Sequence, residues 1–168
     1  MSSNHALLLS GLPQKLIDAN LITEGQAIET ATSAKKSKKS FISQAVEDNA
    51  VSGHVLATLA SQEFGAPYFD ISAIDPDYLV RDIIADNLIK KHNILPLIKR
   101  GKKLAVAIAD PADFAALDEV KFHTGLGIES VVAEEKSLKL AIDKYLEHVT
   151  EDIDNSFDDM DEGLEDLD

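Results

Sequence analysis

The sequence contains no cysteine, which excludes disulfides, cysteine-ligated zinc, thiol nucleophiles and iron–sulfur clusters. It is also poor in basic residues: 16 Lys and Arg stand against 30 Asp and Glu, and the formal net charge is -14. Because a field of that sign repels phosphates, we expect no nucleic-acid partner. No segment approaches the roughly 18 apolar residues that span a bilayer, and the first residues lack the basic start of a secretory signal. We therefore expect a cytoplasmic protein without membrane insertion.

The motifs of common catalytic and metal sites are absent as well. A P-loop needs an earlier glycine and a Ser or Thr directly after its Gly-Lys pair, and Gly101-Lys102 has neither. There is no G-x-S-x-G elbow. The histidines are too scattered for a zinc motif: His5, His54, His92, His123 and His148. We therefore predict that this chain is not an enzyme and that it holds no metal and no cofactor.

What the sequence does contain is an ordinary folded composition with an unusual end. Its 168 residues, 45% hydrophobic and 27% charged, are enough for one domain or two small ones. Residues 151–168 hold ten acidic and no basic side chains, so we predict a disordered linker or tail over 150–168. The alternative is an interaction motif, because four apolar residues recur there near the helical period: Ile153, Phe157, Met160 and Leu164.

Residues 1–64 have helical periodicity and predict a small helical bundle. The expected helices cover residues 13–19, 24–34, 41–49 and 53–64. Thr23 and Gln26 form a capping-box pattern, and Ser40 and Ser52 are expected to cap the third and fourth helices. Asn20 is expected to end the first helix in a left-handed conformation. In the fourth helix, we expect one face to supply much of the core: Val55, Leu56, Leu59, Ala60 and Phe64.

Residues 65–149 alternate strand and helix signals and predict a compact α/β subdomain. The expected order is a strand at 67–72, a helix at 84–92, a hairpin over 93–111 that turns at Arg100-Gly101, a helix at 113–123, a strand at 128–135 and a helix at 137–148. The predicted fold class is therefore α+β or α/β, with a helical bundle followed by an α/β unit. Asp110 and Asp113 fall where catalytic residues of α/β proteins cluster, but we favour helix capping for both.

Two basic clusters interrupt the acidic sequence, one over residues 35–39 and one over 99–103. Either could contact a phosphate or an acidic partner. Both fall at predicted connections, where solvated lysines are common, so we favour solvent exposure.

Three stretches resemble the N-terminal region of type IV pilus assembly ATPases, the PilB branch of the type II secretion ATPases: 40–75, 87–126 and 141–147. The most specific parts are Phe64-Gly65-x-Pro67 with Asp70, His92-x-x-Leu95-Pro96, Arg100-Gly101, Asp110-Pro111, and the helix from Leu117-Asp118 to Thr124-Gly125. The resemblance covers residues 8–148. It implies that the region is regulatory and that a linker joins it to a hexameric motor domain, which would bind the ATP and Mg²⁺.

The resemblance also implies a possible small ligand. Many relatives of this domain bind cyclic di-GMP directly, through a helical motif of the form RLG-x-x-L-x-x-x-G followed by a second, similar half. Here the Arg of that motif falls on Gly11, and its two glycines fall on Pro13 and Asn20. The later Leu, Ala, Leu and Gln fall on Ala27, Thr30, Ala31 and Ala34, and the second half's Leu-Gly falls on Phe41-Ile42. The sequence thus lacks both the guanidinium that would pair with a phosphate and the glycines that would let the backbone approach the ligand closely. We therefore expect no tight direct binding of cyclic di-GMP.

A second route implied by the resemblance is a PilZ-type adaptor that docks on this region and connects it to a separate cyclic di-GMP receptor. Apolar side chains on a helical platform suit such docking. Our candidate docking residues are Leu12, Leu16, Ile17, Ile28, Phe41 and Ile42, and the alternative is that they form the core of the bundle. We therefore predict a regulatory interaction domain of the pilus extension motor that docks a PilZ-type adaptor, the inner-membrane pilus platform, or both. A direct cyclic di-GMP sensor is the alternative.

Overall fold

The structure, a computed structural model of the chain, describes residues 9–147. Its first half is a layer of four helices: α1 (Leu12–Asp18), α2 (Glu24–Ser37), α3 (Phe41–Glu47) and α4 (Gly53–Phe64). Helix α2 packs against α1 and α3, and α4 packs against α1. The predicted helices of this region are confirmed, although α2 runs three residues further and α3 ends two residues earlier than expected.

N-terminal caps set where these helices begin. Thr23 Oγ1 accepts from the Gln26 N–H at 3.2 Å, and Gln26 Oε1 accepts from the Thr23 N–H at 2.9 Å, which is the predicted capping box. Ser40 and Ser52 each accept from the backbone N–H three residues further on. These amides have no partner within the helix, so each cap satisfies a donor that would otherwise depend on water.

The second half combines a small sheet with three helices. Two 3₁₀ turns (Ile71–Ala73 and Pro76–Tyr78) lead to α5 (Asp86–His92), β1 (Leu95–Arg100), β2 (Lys103–Ile108), α6 (Phe114–Thr124), β3 (Gly127–Val132) and α7, which is described over residues 135–147. Strands β1 and β2 form the predicted antiparallel hairpin. Strand β2 pairs in parallel with β3, and α6 makes the crossover that a parallel pair needs. The predicted α+β class is confirmed.

An aspartate begins α6 and a glycine ends it. Asp113 Oδ1 accepts from the Ala116 N–H at 3.1 Å and caps the helix. Asp110 Oδ1 accepts from the Ala112 N–H at 3.0 Å and shapes the turn before it. Gly125 ends the helix with φ 68°, a conformation that costs glycine little. The capping role favoured for Asp113 is confirmed, whereas Asp110 shapes the turn before the helix and does not cap it.

One hydrophobic core joins the two halves. A cluster of buried apolar residues extends from Leu9 in the first half to Tyr145 in the last helix, and α4 packs on both α1 and β3. A polar contact also crosses the boundary, because Ser43 Oγ donates to Glu135 Oε1 at 2.8 Å. The regions predicted at 1–64 and 65–149 therefore share a core where they are described. The predicted tail, 150–168, lies outside the described residues.

The predicted strand at 67–72 is wrong. Tyr68 makes an isolated bridge to Val132, and the chain then turns into the first 3₁₀ turn. The reason is local, since Asp70 Oδ1 accepts from the Ser72 N–H at 3.1 Å and so draws the backbone out of an extended conformation.

The predicted core face of α4 is partly wrong. Its fully buried residues are Leu56, Ala57 and Ala60, while Val55 and Leu59 are partly buried and Phe64 is exposed. The contacting face is thus rotated toward Ala57, where small side chains let neighbouring elements approach. No helix within residues 9–147 is both long enough and apolar enough to cross a membrane.

Candidate functional site

The six candidate docking residues divide by burial. Leu12, Leu16 and Ile42 belong to the hydrophobic core, and Leu16 has 0% of its surface exposed. Leu12 and Leu16 are four residues apart, so they share the face by which α1 packs on its neighbours. In this conformation the three side chains are closed to a partner. Their burial agrees with the alternative that they form the core of the bundle.

The other three candidates, Ile17, Ile28 and Phe41, are only partly buried. They lie on α1, α2 and α3, and they pack against the edge of the core. In α2 the buried face is formed by Ala27, Thr30 and Ala34, and Ile28 lies about 100° further round the helix, at the border of that face. A partner could therefore reach three of the six residues, and their role in docking stays a prediction.

Sequence reasoning missed Leu21, which lies just after the end of α1. Asn20 has the predicted left-handed backbone, with φ 56°, and the Leu21 N–H donates to the Leu16 carbonyl at 2.9 Å. This is a Schellman ending, in which an apolar residue after the left-handed position packs back on the helix. Leu21 nevertheless remains 42% exposed. The signal was available, because an apolar residue follows a helix-ending Asn in the sequence.

The positions that align with the nucleotide motif offer a ligand little. Gly11 is the N-cap of α1 and carries no side chain, and Pro13 is buried in the first turn. Lys15, the nearby cation, pairs with Glu63 at 3.5 Å. Asn20 keeps a glycine-like backbone but adds a side chain. The backbone at residue 20 is therefore left-handed, while residue 11 supplies no guanidinium.

A polar cleft of about 260 Å³ lies where α3, α5, α7 and the end of β2 meet. The carboxyl end of a strand is a common ligand site in α/β sheets. Four lysines and three carboxylates line the cleft: Lys38, Lys39, Lys91, Lys139, Asp110, Asp113 and Glu135. Lys39, Lys91 and Lys139 form ion pairs with glutamates at 2.6, 3.1 and 3.3 Å. Since these charges nearly balance, the cleft presents no strong field to an anion or a cation.

Two titrating groups beside this cleft have structural roles. Burial raises the pKa of Asp110, and Asp113 and Glu135 raise it further, against the lowering effect of the Ala112 N–H bond. On α6, the hydrogen bond from His92 is the main cause that lowers the pKa of Glu119. That contact, at 2.5 Å, ties α5 to α6.

Only some of the cations in the two basic clusters form ion pairs. In the first, Lys35 and Lys36 lie in the last turn of α2, where their charge favours the helix dipole, and Lys38 ends the helix. In the second, Lys103 pairs with Glu129 at 2.9 Å across β2 and β3. Their binding roles stay predictions.

Sequence reasoning also missed exposed apolar residues of the α/β half. Phe122 is 91% exposed, and Tyr78 is 87% exposed. Phe122 lies about 200° round α6 from the buried Val120, so the spacing alone pointed it away from the core. Tyr78 lies in a turn, where no periodic pattern indicates exposure. Residues 9–147 contain no group of three or more His, Cys, Asp or Glu side chains that could hold a metal.

Comparison with known proteins identifies this architecture. Residues 64–152 match the MshEN domain. The chain belongs to the MshEN domain family. The matched range begins at the end of α4 and includes the whole described α/β half of this MshEN domain.

Curated relatives extend the similarity through the helical half. The chain is 39% identical over 163 residues to the type IV pilus assembly ATPase PilB of Pseudomonas aeruginosa, covering 96% of this chain and 29% of that protein. It is 29% identical over 149 residues to PilB of Acinetobacter baylyi, covering 89% of this chain and 25% of that protein. This MshEN domain is thus homologous to the N-terminal region of PilB, and it spans less than a third of those relatives.

Solved structures share the fold. The N-terminal domain of XpsE superposes with a TM-score of 0.68 at 18% identity, covering 82% of this chain and 95% of that chain. A structure of MshE with cdg superposes with a TM-score of 0.62 at 23% identity, covering 80% of this chain and 97% of that chain. At these identities the comparison shows the arrangement of helices and strands that this MshEN domain adopts.

Proposed function

We propose that this MshEN domain is a regulatory docking domain for a type IV pilus assembly ATPase, and that it binds a PilZ-type adaptor at the cytoplasmic side of the inner membrane. Homology to the N-terminal region of PilB supports the pilus role. One observation favours a protein partner over a nucleotide. The Arg and the first Gly of the nucleotide motif are replaced by Gly11 and Pro13, while the neighbouring helices leave apolar side chains accessible. The inner-membrane pilus platform is the second partner class that such a surface would suit.

The helical surface that we assign to docking consists of Ile17, Leu21, Ile28 and Phe41. The side chains of Ile17, Ile28 and Phe41 pack against the core and are partly exposed, which limits the rotamer entropy that binding would cost. Leu21 is 42% exposed. Charged and polar groups flank them, including the Lys15–Glu63 pair and the Gln14–Asp18 hydrogen bond on α1. An apolar centre with a polar rim is the usual anatomy of a protein interface.

Docking on the helical half would also affect the α/β half, because α4 packs on both α1 and β3 and so connects the two. The Ser43–Glu135 hydrogen bond gives a second connection, from α3 to α7. A partner that shifts the helical layer would therefore also act on α7, at the end of the described residues.

The direct test is a calorimetric titration of the chain with a PilZ-type adaptor from the same source. We expect a one-to-one complex with sub-micromolar affinity, which corresponds to roughly 8 kcal/mol or more of binding free energy. Ile28→Asp and Phe41→Ser should abolish the heat while the helical circular dichroism is retained. Phe122→Asp, a change at an exposed residue of α6, is the matched control and should bind like the wild type.

Ile42→Asp separates docking from folding. Since Ile42 is buried, we expect this variant to lose helical signal and binding together. Absence of a complex with the wild-type chain would contradict the adaptor proposal, and the cytoplasmic regions of the platform proteins would then be titrated in the same way.

A direct nucleotide sensor is the second candidate, because the fold is shared with a structure of MshE with cdg, which we read as cyclic di-GMP. Titration of the chain with cyclic di-GMP tests it. We expect no saturable binding, since residue 11 supplies no guanidinium. A saturating isotherm at micromolar nucleotide would favour the sensor over the adaptor-docking domain.

A further inference from the structure

An apolar groove lies beside β1, an outer strand of the three-stranded sheet. It has a volume of about 540 Å³ and is lined by Phe69, Ala73, Ile74, Asp75, Tyr78, Leu79, Leu97 and Ile98. Two of these apolar residues are well exposed: Tyr78 at 87% and Ile98 at 48%. Contiguous exposed apolar surface on a small domain commonly marks an interaction site.

One wall of the groove is fixed to the last helix. The Val80 N–H donates to the Leu97 carbonyl at 3.3 Å and so ties the wall segment to β1. The Tyr145 hydroxyl donates to the Val80 carbonyl at 2.8 Å. The Arg81 guanidinium donates to the Tyr145 carbonyl at 2.5 Å and lies 4.1 Å from the centre of its ring. These contacts hold the end of α7 against the same segment that forms the groove.

The chain therefore leaves the described structure next to the groove. Lys144 and Glu147, at the end of α7, line a depression with residues 72–76. That depression shares Ala73, Ile74 and Asp75 with the groove. A chain that continues from Glu147 reaches the groove by passing residues 72–76. The five residues 148–152 can span up to about 17 Å when extended.

The sequence beyond residue 147 has the chemistry that fits the groove. Ile153, Phe157, Met160 and Leu164 follow the spacing of one apolar helix face. The acidic residues between them would meet the basic end of β1, since Lys99, Arg100 and Lys102 form no ion pair within residues 9–147. The carboxylate in the groove lining, Asp75, accepts from the Asp77 N–H at 3.0 Å and caps the second 3₁₀ turn.

We propose that the chain's own segment 153–164 docks in this groove, with its apolar side chains against Tyr78 and Ile98 and its carboxylates toward Lys99 and Arg100. The contact fastens the acidic segment to the α/β half and sets the direction in which the chain continues. It is independent of the proposed adaptor surface, which lies on the helical half.

The absence of cysteine makes a clean test possible in the full chain. Ser156→Cys places one thiol beside Phe157, and a nitroxide label attached there broadens amide signals that lie near it. We expect loss of intensity at Tyr78 and Ile98 when the label is oxidised and recovery when it is reduced. The signal of Phe122 serves as the internal reference and should stay unchanged.

Variants then separate specific docking from chance proximity. Ile98→Asp and the pair Phe157→Ser with Met160→Ser should each remove the broadening at Tyr78, whereas Phe122→Asp should not. The amide spectrum of each variant shows whether the domain remains folded. Raising the salt concentration should weaken the broadening, because the basic end of β1 contributes through exposed charges.

Three results would overturn the proposal. One is broadening spread evenly over the surface, and another is broadening at the groove that survives both sets of variants. The third comes from mixing labelled, unenriched chain with unlabelled, isotope-enriched chain: broadening at the groove in that sample means that a second copy supplies the segment.

Discussion

The helical half and the α/β half use their large apolar side chains differently. Within residues 9–64, Leu21 and Phe64 are the large apolar residues that remain exposed. Residues 65–147 leave six exposed: Tyr68, Tyr78, Ile98, Phe114, Phe122 and Leu140. A thin layer of short helices needs most of its apolar residues for the core. Docking on the helical half must therefore rely mainly on partly buried side chains together with Leu21, whereas the α/β half offers several exposed large apolar side chains.

The largest expected effect on the free energy of unfolding comes from comparing Leu16→Ala with Leu21→Ala, which tests this contrast in burial. Leu16 is fully buried, so its truncation should cost about 2–5 kcal/mol of unfolding free energy. Leu21→Ala, five residues further on and half exposed, should cost less than about 1 kcal/mol. Urea unfolding followed by circular dichroism measures both. Similar values for the two variants would mean that the contrast in burial between Leu16 and Leu21 is not real.

Ser43→Ala tests the polar connection between the halves. The change removes a donor from the buried carboxylate of Glu135, and we expect a loss of about 1–3 kcal/mol. The control is a double-mutant cycle, because Ser43→Ala should cost less when Glu135→Gln is already present. Equal costs in both backgrounds would show that the hydrogen bond does not couple α3 to α7.

Thr23→Ala removes the capping box of α2 and should cost about 1 kcal/mol. Thr32→Ala is matched in chemistry and lies on the exposed side of the same helix. It should be neutral or slightly stabilising, because alanine is the better helix former. If thermal unfolding showed equal losses for both, capping would not explain where α2 begins.

Asp110→Asn tests the smallest effect, which depends on pH. Burial raises the pKa of Asp110 above its ordinary value of 3.8, so between 3.8 and the raised folded pKa the folded state holds the proton more tightly than the unfolded state. Rising pH through that window therefore costs the wild type stability. Asparagine can still accept from the Ala112 N–H, so the variant should lack this loss. Unfolding measured across the acid range checks it, with the exposed Asp118→Asn as the control that should follow the wild type.

Short-range patterns predicted most of the fold. The capping box at Thr23, the Asp113 cap and the turn at Gly101 each depend on contacts within a few residues, and all are present in the structure. The strand predicted at 67–72 failed for an equally local reason, the Asp70 turn that competes with extended backbone. At this position the turn chemistry of Asp70 outweighs the strand propensity of its neighbours.

The candidate site was less predictable because burial depends on distant partners. Nothing in the local sequence of Leu12, Leu16 or Ile42 shows which side of its helix meets the shared core. The exposure of Phe122 could have been derived from its helical spacing relative to Val120. The groove at Tyr78 could not be derived from the sequence, because it is assembled from two turns and an outer strand that are separate along the chain.

The most direct test of the proposed function is an amide chemical-shift map of the isotope-labelled chain titrated with an unlabelled PilZ-type adaptor. We predict saturating changes at Ile17, Leu21, Ile28 and Phe41, with the signals of Tyr78 and Phe122 unmoved. Changes confined to residues 65–147, or no changes at all, would contradict docking on the helical half.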